Sequence, residues 1–236
     1  MEPRPVKVHK LGRMSERPTA LVTGASRGVG AAVARALAPT HDVILGGRDA
    51  QALAELAAEL PGSRAWPVEL TRVGEADVAG VERLDVLVHS AGVAHLGRIA
   101  DQEADVWRRT MEVNVIAVAD LTRLLLPALR RAGGHVVCVN SGAGLRANPE
   151  WGAYAASKFA LRAFADALRL EEPELRVTSI HPGRIDTDMQ RGVRGYEGGP
   201  YEADKYLRPE TVARAVLTAL TAGPDAHLTD LTLRPR

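Results

Sequence analysis

The stretch TALVTGASRGVG, residues 19–30, decides how the chain folds. Its β-rich, apolar first half is typical of a buried strand, and the residues that follow repeat apolar side chains at helical spacing. Between the two, Gly24, Gly28 and Gly30 form a T-G-x-x-x-G-x-G turn. Glycines permit a tight turn and a close backbone approach, and the N-terminus of the following helix offers free N–H groups. The stretch therefore predicts a strand, a turn and a helix that can hold a pyrophosphate.

Strands and helices continue to alternate from this stretch to the end of the chain. Such alternation implies right-handed crossovers and a parallel sheet covered on both faces. We predict an α/β fold over residues 19–236: a single-domain, Rossmann-like, doubly wound parallel sheet of about seven strands with helices on both faces. Residues 1–18 are predicted to be a flexible leader, because they hold basic residues and prolines but no signal-peptide-like apolar segment. The strands are predicted within 19–24, 42–47, 64–70, 84–90, 134–141, 175–183 and 227–235.

Glycines and small polar residues follow four of the predicted strands. They are the glycine turn itself, SAG at 90–92, NSGAG at 140–144 and HPGRIDT at 181–187. Sheets of this kind bind ligands outside the carboxyl ends of their strands, near the point where the strand order reverses. We therefore expect the binding site at this edge.

Composition excludes several other functions. The formal net charge is +1, so no overall field favours nucleic acid or an anionic membrane as a partner. No stretch approaches the roughly 20 apolar residues that span a bilayer. The single cysteine, Cys138, lies in an apolar run, which predicts a buried, inert thiol and fits a reducing cytoplasm. No histidine or cysteine spacing indicates a metal site.

The end of the second strand indicates which cofactor such a fold would hold. An acid there typically binds the ribose 2′-OH of NAD, whereas an arginine accommodates the 2′-phosphate of NADP. Arg48 occupies this position, and Arg27 in the glycine turn could join it. Asp49 remains a possible ribose ligand but fits better as the N-cap of the next helix. We therefore expect NADP rather than NAD.

Tyr154 and Lys158 lie one turn apart at the start of a predicted amphipathic helix, in WGAYAASKFALRAFADALRL at 151–170. Residues i and i+4 are neighbours on a helix surface. An ammonium beside a phenol favours the phenolate and lowers the tyrosine pKa, so the pair is suited to proton transfer. A surface tyrosine beside a solvated lysine is the alternative that this spacing alone leaves open.

Taken together, the motifs resemble those of the short-chain dehydrogenase/reductase family, over residues 19–235. TGASRGVG is similar to the cofactor turn of that family, and Tyr154 and Lys158 resemble its YxxxK pair. Ser141 precedes the tyrosine as the catalytic serine of the family does, and Asn114 in MEVNVIA matches the catalytic asparagine. The resemblance implies that Tyr154 exchanges a proton with the substrate oxygen, while Lys158 lowers its pKa and holds the ribose. It implies that Ser141 binds the substrate carbonyl and that Asn114 fixes a proton-carrying water.

The resemblance also implies the cofactor contacts. PGRIDT at 182–187 is similar to the PGxxxT segment of the family, in which Ile185 and Thr187 would meet the nicotinamide carboxamide. The residues expected to bind NADP are Gly24, Ser26, Arg27, Gly28, Val29, Gly30, Arg48, Glu69, Leu70, Ser90, Ala91, Gly92, Tyr154, Lys158, Pro182, Gly183, Ile185 and Thr187.

Two residues depart from the family pattern. His89 stands where the family often has asparagine, and we expect it to replace a structural side chain and not to act as a base. Glu69 stands where the family usually has an adenine-contacting aspartate.

Two further segments carry expectations. Residues 188–208 are rich in glycine and charge without a clear apolar period, and are predicted to be a mobile substrate lid. The long helical region at 102–131 is predicted to stop at the C-cap signal Gly133-Gly134. It is apolar along a stripe that exceeds what one sheet face readily covers, and family members commonly pair through this helix and the one that carries Tyr154, so at least a homodimer, or a homotetramer, is expected. The stripe consists of Met111, Val115, Val118, Leu121, Leu125 and Leu129.

The leading function is hydride transfer between NADP(H) and a small carbonyl compound or secondary alcohol. The alternative is a non-catalytic NADP-sensing regulator on the same fold, which would be expected to lack Tyr154 or Lys158. A nucleotide-fold methyltransferase is a third possibility, and Arg48 and the YxxxK pair argue against it.

Overall fold

The computed structural model describes residues 17–236. Of the predicted leader, residues 1–16 lie outside the described part of the chain. Arg17 is fixed to the domain, because its Nη2 donates a hydrogen bond to the carbonyl oxygen of Ala38 at 2.7 Å.

Within residues 17–236 the sheet has seven parallel strands, as the sequence predicts. The strands are β1 Thr19–Thr23, β2 Asp42–Gly47, β3 Arg64–Pro67, β4 Val86–His89, β5 His135–Val139, β6 Arg176–Pro182 and β7 Asp230–Leu233. Their order is β3-β2-β1-β4-β5-β6-β7, so the order reverses between β1 and β4, beside the glycine turn.

Helices cover both faces of the sheet. α1, α2 and α8 pack on one face, and α3, α5 and α6 pack on the other. Side chains alternate between the two faces along a strand, so Ala20 and Val22 of β1 join the first core while Leu21 joins the second. No helix within residues 17–236 is long and apolar enough to cross a membrane. The helices are α1 Gly28–Leu37, α2 Ala50–Glu59, α3 Glu75–Val78, α4 Ala104–Met111, α5 Ala117–Ala132, α6 Gly152–Glu171, α7 Asp188–Glu197 and α8 Pro209–Leu220.

The long helical region contains an interruption that the sequence analysis misses. α4 and α5 are joined by one π-helical turn, Glu112–Ile116, in which the backbone N–H of Ala117 bonds to the carbonyl oxygen of Glu112. Such turns are rare and occur frequently at functional sites. α5 ends as predicted at Gly133, which adopts the left-handed conformation with φ of 57°.

Most of the apolar stripe on this region is buried within the domain. Val118, Leu121, Leu125 and Leu129 are buried against the sheet. The interpretation that one sheet face leaves this stripe uncovered is therefore wrong. The exposed apolar side chains nearby belong instead to Ile116 and Phe159.

The predicted lid begins with a helix, α7, although its sequence lacks a clear apolar period. Thr187 caps its N-terminus by accepting a hydrogen bond from the backbone N–H of Gln190 at 3.3 Å, and Gly198 ends it with φ of 72°. Val193 is buried, so the helix has an apolar contact after all.

Candidate active site

The glycine turn lies against the segment that follows β4. A Cβ on Gly24 would stand 2.9 Å from the backbone of Ala91, and Gly24 has φ of 67°, so glycine is required on both counts. Thr23 joins the two segments, because its Oγ1 accepts hydrogen bonds from the N–H groups of Ser90 and Ala91 at 3.1 and 3.2 Å. This role of Thr23 is not predicted from the sequence, because it depends on β4 lying beside β1 in the sheet.

A cavity of about 1020 Å³ opens at this turn. It extends from the N-terminus of α1 to Tyr154 and Lys158, and is therefore long enough to join a phosphate-binding turn to the tyrosine. Pro182 and Gly183 do not line it and line a neighbouring cavity instead. Sixteen of the residues expected to bind NADP do line it: Gly24, Ser26, Arg27, Gly28, Val29, Gly30, Arg48, Glu69, Leu70, Ser90, Ala91, Gly92, Tyr154, Lys158, Ile185 and Thr187.

Both arginines expected to read the cofactor have an acidic partner. Arg48 Nη1 lies 3.9 Å from Glu69 Oε2, and Arg27 Nε lies 3.9 Å from Asp188 Oδ2. All four side chains are largely exposed, so these ion pairs contribute little stability and can open. Asp49 instead accepts a hydrogen bond from Ala52 N–H as the N-cap of α2, as predicted.

Tyr154 and Lys158 share one side of the first turns of α6 and are both buried, at 7% and 5% exposure. Lys158 Nζ lies 5.8 Å from the centre of the tyrosine ring and donates a hydrogen bond to the carbonyl oxygen of Val139 at 3.1 Å. Burial lowers the pKa of Lys158 to about 8.

The expected lowering of the tyrosine pKa is not found. Burial raises the pKa of Tyr154, and hydrogen bonding to Ser141 opposes that rise only in part. The physical reason is that burial disfavours the phenolate, while the lysine that should favour it is itself buried and engaged by Val139. Tyr154 is therefore a protonated phenol at neutral pH, which can donate a proton.

Ser141 is fixed at the end of β5 by three neighbours. Its Oγ accepts a hydrogen bond from Ala143 N–H at 3.1 Å, and its own N–H donates to Asn140 Oδ1 at 2.8 Å. Its carbonyl oxygen lies 3.2 Å from Nδ1 of buried His181, whose Nε2 lies 3.0 Å from Oδ1 of Asp230. Asn140 and His181 open the segments NSGAG and HPGRIDT, but neither residue is predicted as a site residue, because their partners lie on distant parts of the chain.

Asn140 also reaches α6. Its Nδ2 donates a hydrogen bond to the backbone carbonyl oxygen of Lys158 at 3.1 Å. The buried side-chain amide of Asn140 therefore links Ser141, which follows β5, to Lys158 on α6.

Asn114 lies in the π turn and lines neither cavity. Its Oδ1 accepts from Val93 N–H at 2.9 Å, while its Nδ2 donates to Val93 O at 2.9 Å and to Ser157 Oγ at 3.0 Å. A Cβ on Gly92 would stand 3.2 Å from Asn114 Oδ1 and 3.9 Å from Lys158 Nζ. Asn114 is thus adjacent to the lysine, with Gly92 leaving space between them.

A second cavity, of about 470 Å³, lies on the other side of Tyr154. Tyr154, Ile185 and Thr187 line both cavities, so the tyrosine stands where the two meet. Ser141 faces the second cavity, and Trp151 closes one side of it with its ring 5.6 Å from that of Tyr154. A small molecule in this cavity would reach Ser141 and Tyr154 together.

The remaining reactive side chains near the site are inert in this environment. His89 is buried, and burial lowers its pKa to about 3, which agrees with a structural role. Burial raises the pKa of Cys138 to about 12, so the thiol is unreactive, as predicted. Within residues 17–236 no group of three histidine, cysteine or acidic side chains is placed to hold a metal ion.

Comparison with known proteins agrees with this arrangement. A family model described as short chain dehydrogenase matches residues 18–197. The chain is 37% identical over 225 residues to dehydrogenase/reductase SDR family member 7B of Bos taurus, covering 85% of this chain and 69% of that protein. Another curated relative is matched over only 20% of its length.

Solved structures share the whole fold. An alcohol dehydrogenase from the archaeon Thermococcus sibiricus, complexed with 5-hydroxy-NADP, superposes with a TM-score of 0.82 at 28% identity, over 93% of this chain and 97% of that one. A 3-oxoacyl-[acyl-carrier protein] reductase from Brucella melitensis in complex with NAD gives 0.80 at 27% identity, over 92% and 96%. On its fold, its sequence and its match to the family model, the chain belongs to the short-chain dehydrogenase/reductase family of oxidoreductases.

Proposed function

We propose that this protein is an NADP-dependent oxidoreductase that interconverts a small carbonyl compound and the corresponding alcohol. The observation that carries the proposal is the position of Tyr154, a buried phenol standing between a nucleotide-sized cavity and a substrate-sized one. A proton donor at this junction can serve a substrate carbonyl held in the smaller cavity while the cofactor occupies the larger.

The larger cavity fits a dinucleotide in shape and in charge. The N-terminus of α1 and the glycine turn offer backbone N–H groups to a pyrophosphate. Arg48 and Arg27 lie at the end where a 2′-phosphate would be read, which favours NADP over NAD. The solved relatives named above were crystallised with cofactors of both kinds, so the preference rests on these two arginines.

The bound cofactor supplies the hydride, and the side chains supply orientation and the proton. Ser141 donates a hydrogen bond to the substrate carbonyl oxygen, and Tyr154 gives that oxygen its proton in reduction or removes it in oxidation. Lys158 holds the ribose hydroxyls and, together with the positive charge of the oxidised nicotinamide, favours the phenolate. Asn114 fixes a water that returns protons through Lys158.

The proposal extends to assembly and location. Ile116 and Phe159 are 52% and 43% exposed, on the π turn and α6, which pack against each other. Exposed apolar side chains on adjacent elements support pairing of two copies through this surface. The single, free Cys138 supports a reducing, cytoplasmic location.

Replacement of Tyr154 by phenylalanine tests the central claim. Tyr154→Phe should bind NADPH as before but lose turnover of a panel of ketones and aldehydes by about 10²–10⁴, the usual contribution of general acid catalysis. NADPH binding is measured by fluorescence and turnover by the loss of NADPH absorbance. Equal turnover in Tyr154→Phe and the unmodified protein would refute the assignment.

A further inference from the structure

The second cavity has an excess of positive charge. Its charged lining residues are Arg146, Arg184, Arg234 and a single acid, Glu197. That acid is already engaged: Arg184 donates two hydrogen bonds to it, each at 2.7 Å, and Arg194 donates a third at 2.6 Å. Arg146 and Arg234 form no ion pair or side-chain hydrogen bond within residues 17–236. Two guanidinium groups therefore remain to meet whatever enters the cavity.

Arg234 stands next to the catalytic serine. A Cβ on Gly142 would lie 2.7 Å from Nη1 of Arg234 and 3.4 Å from its Cζ. The guanidinium is thus held over the backbone of the residue that follows Ser141. If the anionic group of a substrate were bound there, only a short carbon linker would be needed to place the carbonyl of the same molecule at Ser141 and Tyr154.

Gln190 adds a third donor. The residue is only 6% exposed and lines the cavity, yet its Nε2 is buried without a hydrogen-bond partner within residues 17–236. A buried donor without an acceptor is costly, and a ligand oxygen would relieve that cost. Arg146 and Arg234 carry only donors, and the unpartnered Nε2 of Gln190 is a donor as well.

We propose that the second cavity selects carbonyl substrates that carry an anionic group, a carboxylate or a phosphate, bound by Arg234 and Arg146 with Gln190 donating to one of its oxygens. The inference rests on the proposed function, since it names the substrate class of the same site. Arginine suits this task because its planar fork of donors matches carboxylate and phosphate geometry. Apolar side chains such as Trp151 and Met189 would cover the carbon part of the substrate.

Matched pairs of charged and neutral substrates test the inference. Oxo acids with increasing separation between ketone and carboxylate are compared with their methyl esters, and oxo phosphate esters form a second arm that separates the two anions. The unmodified protein should prefer the acid in kcat/KM by about tenfold or more, the order of a charge-assisted hydrogen bond. The ratio should fall about tenfold in Arg234→Ala and in Arg146→Ala and recover in part in Arg234→Lys. Arg236→Ala, at an exposed arginine outside the cavity, should leave it unchanged.

A binding measurement gives the same answer without turnover. Calorimetry on the protein with NADPH compares a hydroxy acid with its methyl ester, and the acid should bind more tightly in a way that depends on Arg234 and weakens with salt. Equal affinities, or a preference that survives the double Arg146→Ala, Arg234→Ala variant, would overturn the inference. If the protein reduces neutral ketones in a Tyr154-dependent way but shows no preference for the acids, this inference is refuted and the proposed function stands. If acids bind in an Arg234-dependent way but no substrate is turned over, the proposed function is refuted and the anion-binding site remains supported.

Discussion

Arg48 Nη1 lies 3.9 Å from Glu69 Oε2, so the side chain expected to read the cofactor phosphate faces the side chain expected to meet the adenine. The pair is exposed, and its opening costs little. An incoming 2′-phosphate would offer Arg48 a stronger partner than the carboxylate, because charge-assisted bonds from a guanidinium to phosphate are often bidentate.

This pairing sharpens the prediction on cofactor choice. Arg48→Asp should weaken NADPH binding much more than NADH binding, since only NADPH carries a 2′-phosphate to repel. Dissociation constants for both cofactors, measured by fluorescence, give the comparison. Arg35→Asp, at an exposed arginine paired with Glu59 away from the cavity, is the control for overall charge. Equal weakening of both cofactors by Arg48→Asp would show that this arginine does not read the phosphate.

His89 is predicted to make the free energy of unfolding sensitive to acid. Its Nε2 lies 2.8 Å from Oγ1 of Thr122, whose own proton goes to the carbonyl oxygen of Val118, so His89 is the donor. Burial lowers the pKa of His89 to about 3, whereas an unfolded histidine titrates at about 6.5. Between these values the unfolded chain binds the extra proton, and the free energy of unfolding falls as the pH falls.

His89→Asn should therefore lose less stability than the unmodified protein between about pH 7 and pH 5. The measurement is the thermal midpoint at both pH values. His135→Asn should behave alike, because burial also lowers the pKa of His135 to about 3, and the two effects should add in the double variant. Parallel loss of stability in all four proteins would contradict the assignment.

Self-association is predicted through the surface formed by Ile116 and Phe159. The protein should be at least a dimer at micromolar concentration by light scattering, and Phe159→Glu should shift it toward the monomer, because a charge in an apolar interface is costly. Leu170→Glu, at the far end of α6 where the side chain is 84% exposed, is the matched control. A monomeric unmodified protein would refute the prediction.

The segment 188–208 is predicted to open and close over the substrate. In this structure it is held by polar contacts: Arg184 pairs with Glu197, and the Tyr201 hydroxyl donates a hydrogen bond to Asp186. Such contacts bury little apolar surface, so local opening should be frequent. Amides from 189 to 206 should exchange quickly in the free protein and slow markedly with NADPH and a substrate analogue, whereas those of β5 should stay protected throughout. Protection of 189–206 in the free protein, or equal exposure in the complex, would exclude a gating role.

Much of the fold follows from local sequence signals. Glycine turns, short apolar runs and helical periodicity are read within a few residues, and the seven strands and the stop at Gly133 are accordingly found where predicted. The helix α7 is missed because its stability comes from its caps at Thr187 and Gly198 and from ion pairs, not from an apolar stripe. The π turn is missed because nothing in MEVNVIA distinguishes it from an α-helix.

The site is predicted less completely than the fold. Motif residues such as Gly24 and Lys158 are identified from their spacing, because the motif lies on one element or one turn. The hydrogen bonds of Asn140 and the placement of Arg234 over Gly142 depend on distant parts of the chain meeting across the sheet. The direction of the Tyr154 pKa shift depends on burial, which spacing does not reveal.

The π turn at Glu112–Ile116 makes the position of Asn114 sensitive to the loss of a single residue. A π turn holds one residue more than the α-helical turn it replaces, and the widened turn absorbs that residue locally. Deleting one residue of the turn other than Asn114 would therefore allow a continuous α-helix from α4 into α5, with both helices keeping the faces that they pack now. The change would fall on the turn itself and would move Asn114 relative to Val93 and Lys158. A relative or a designed variant that lacks one residue of this turn would thus still fold but would have a changed proton path.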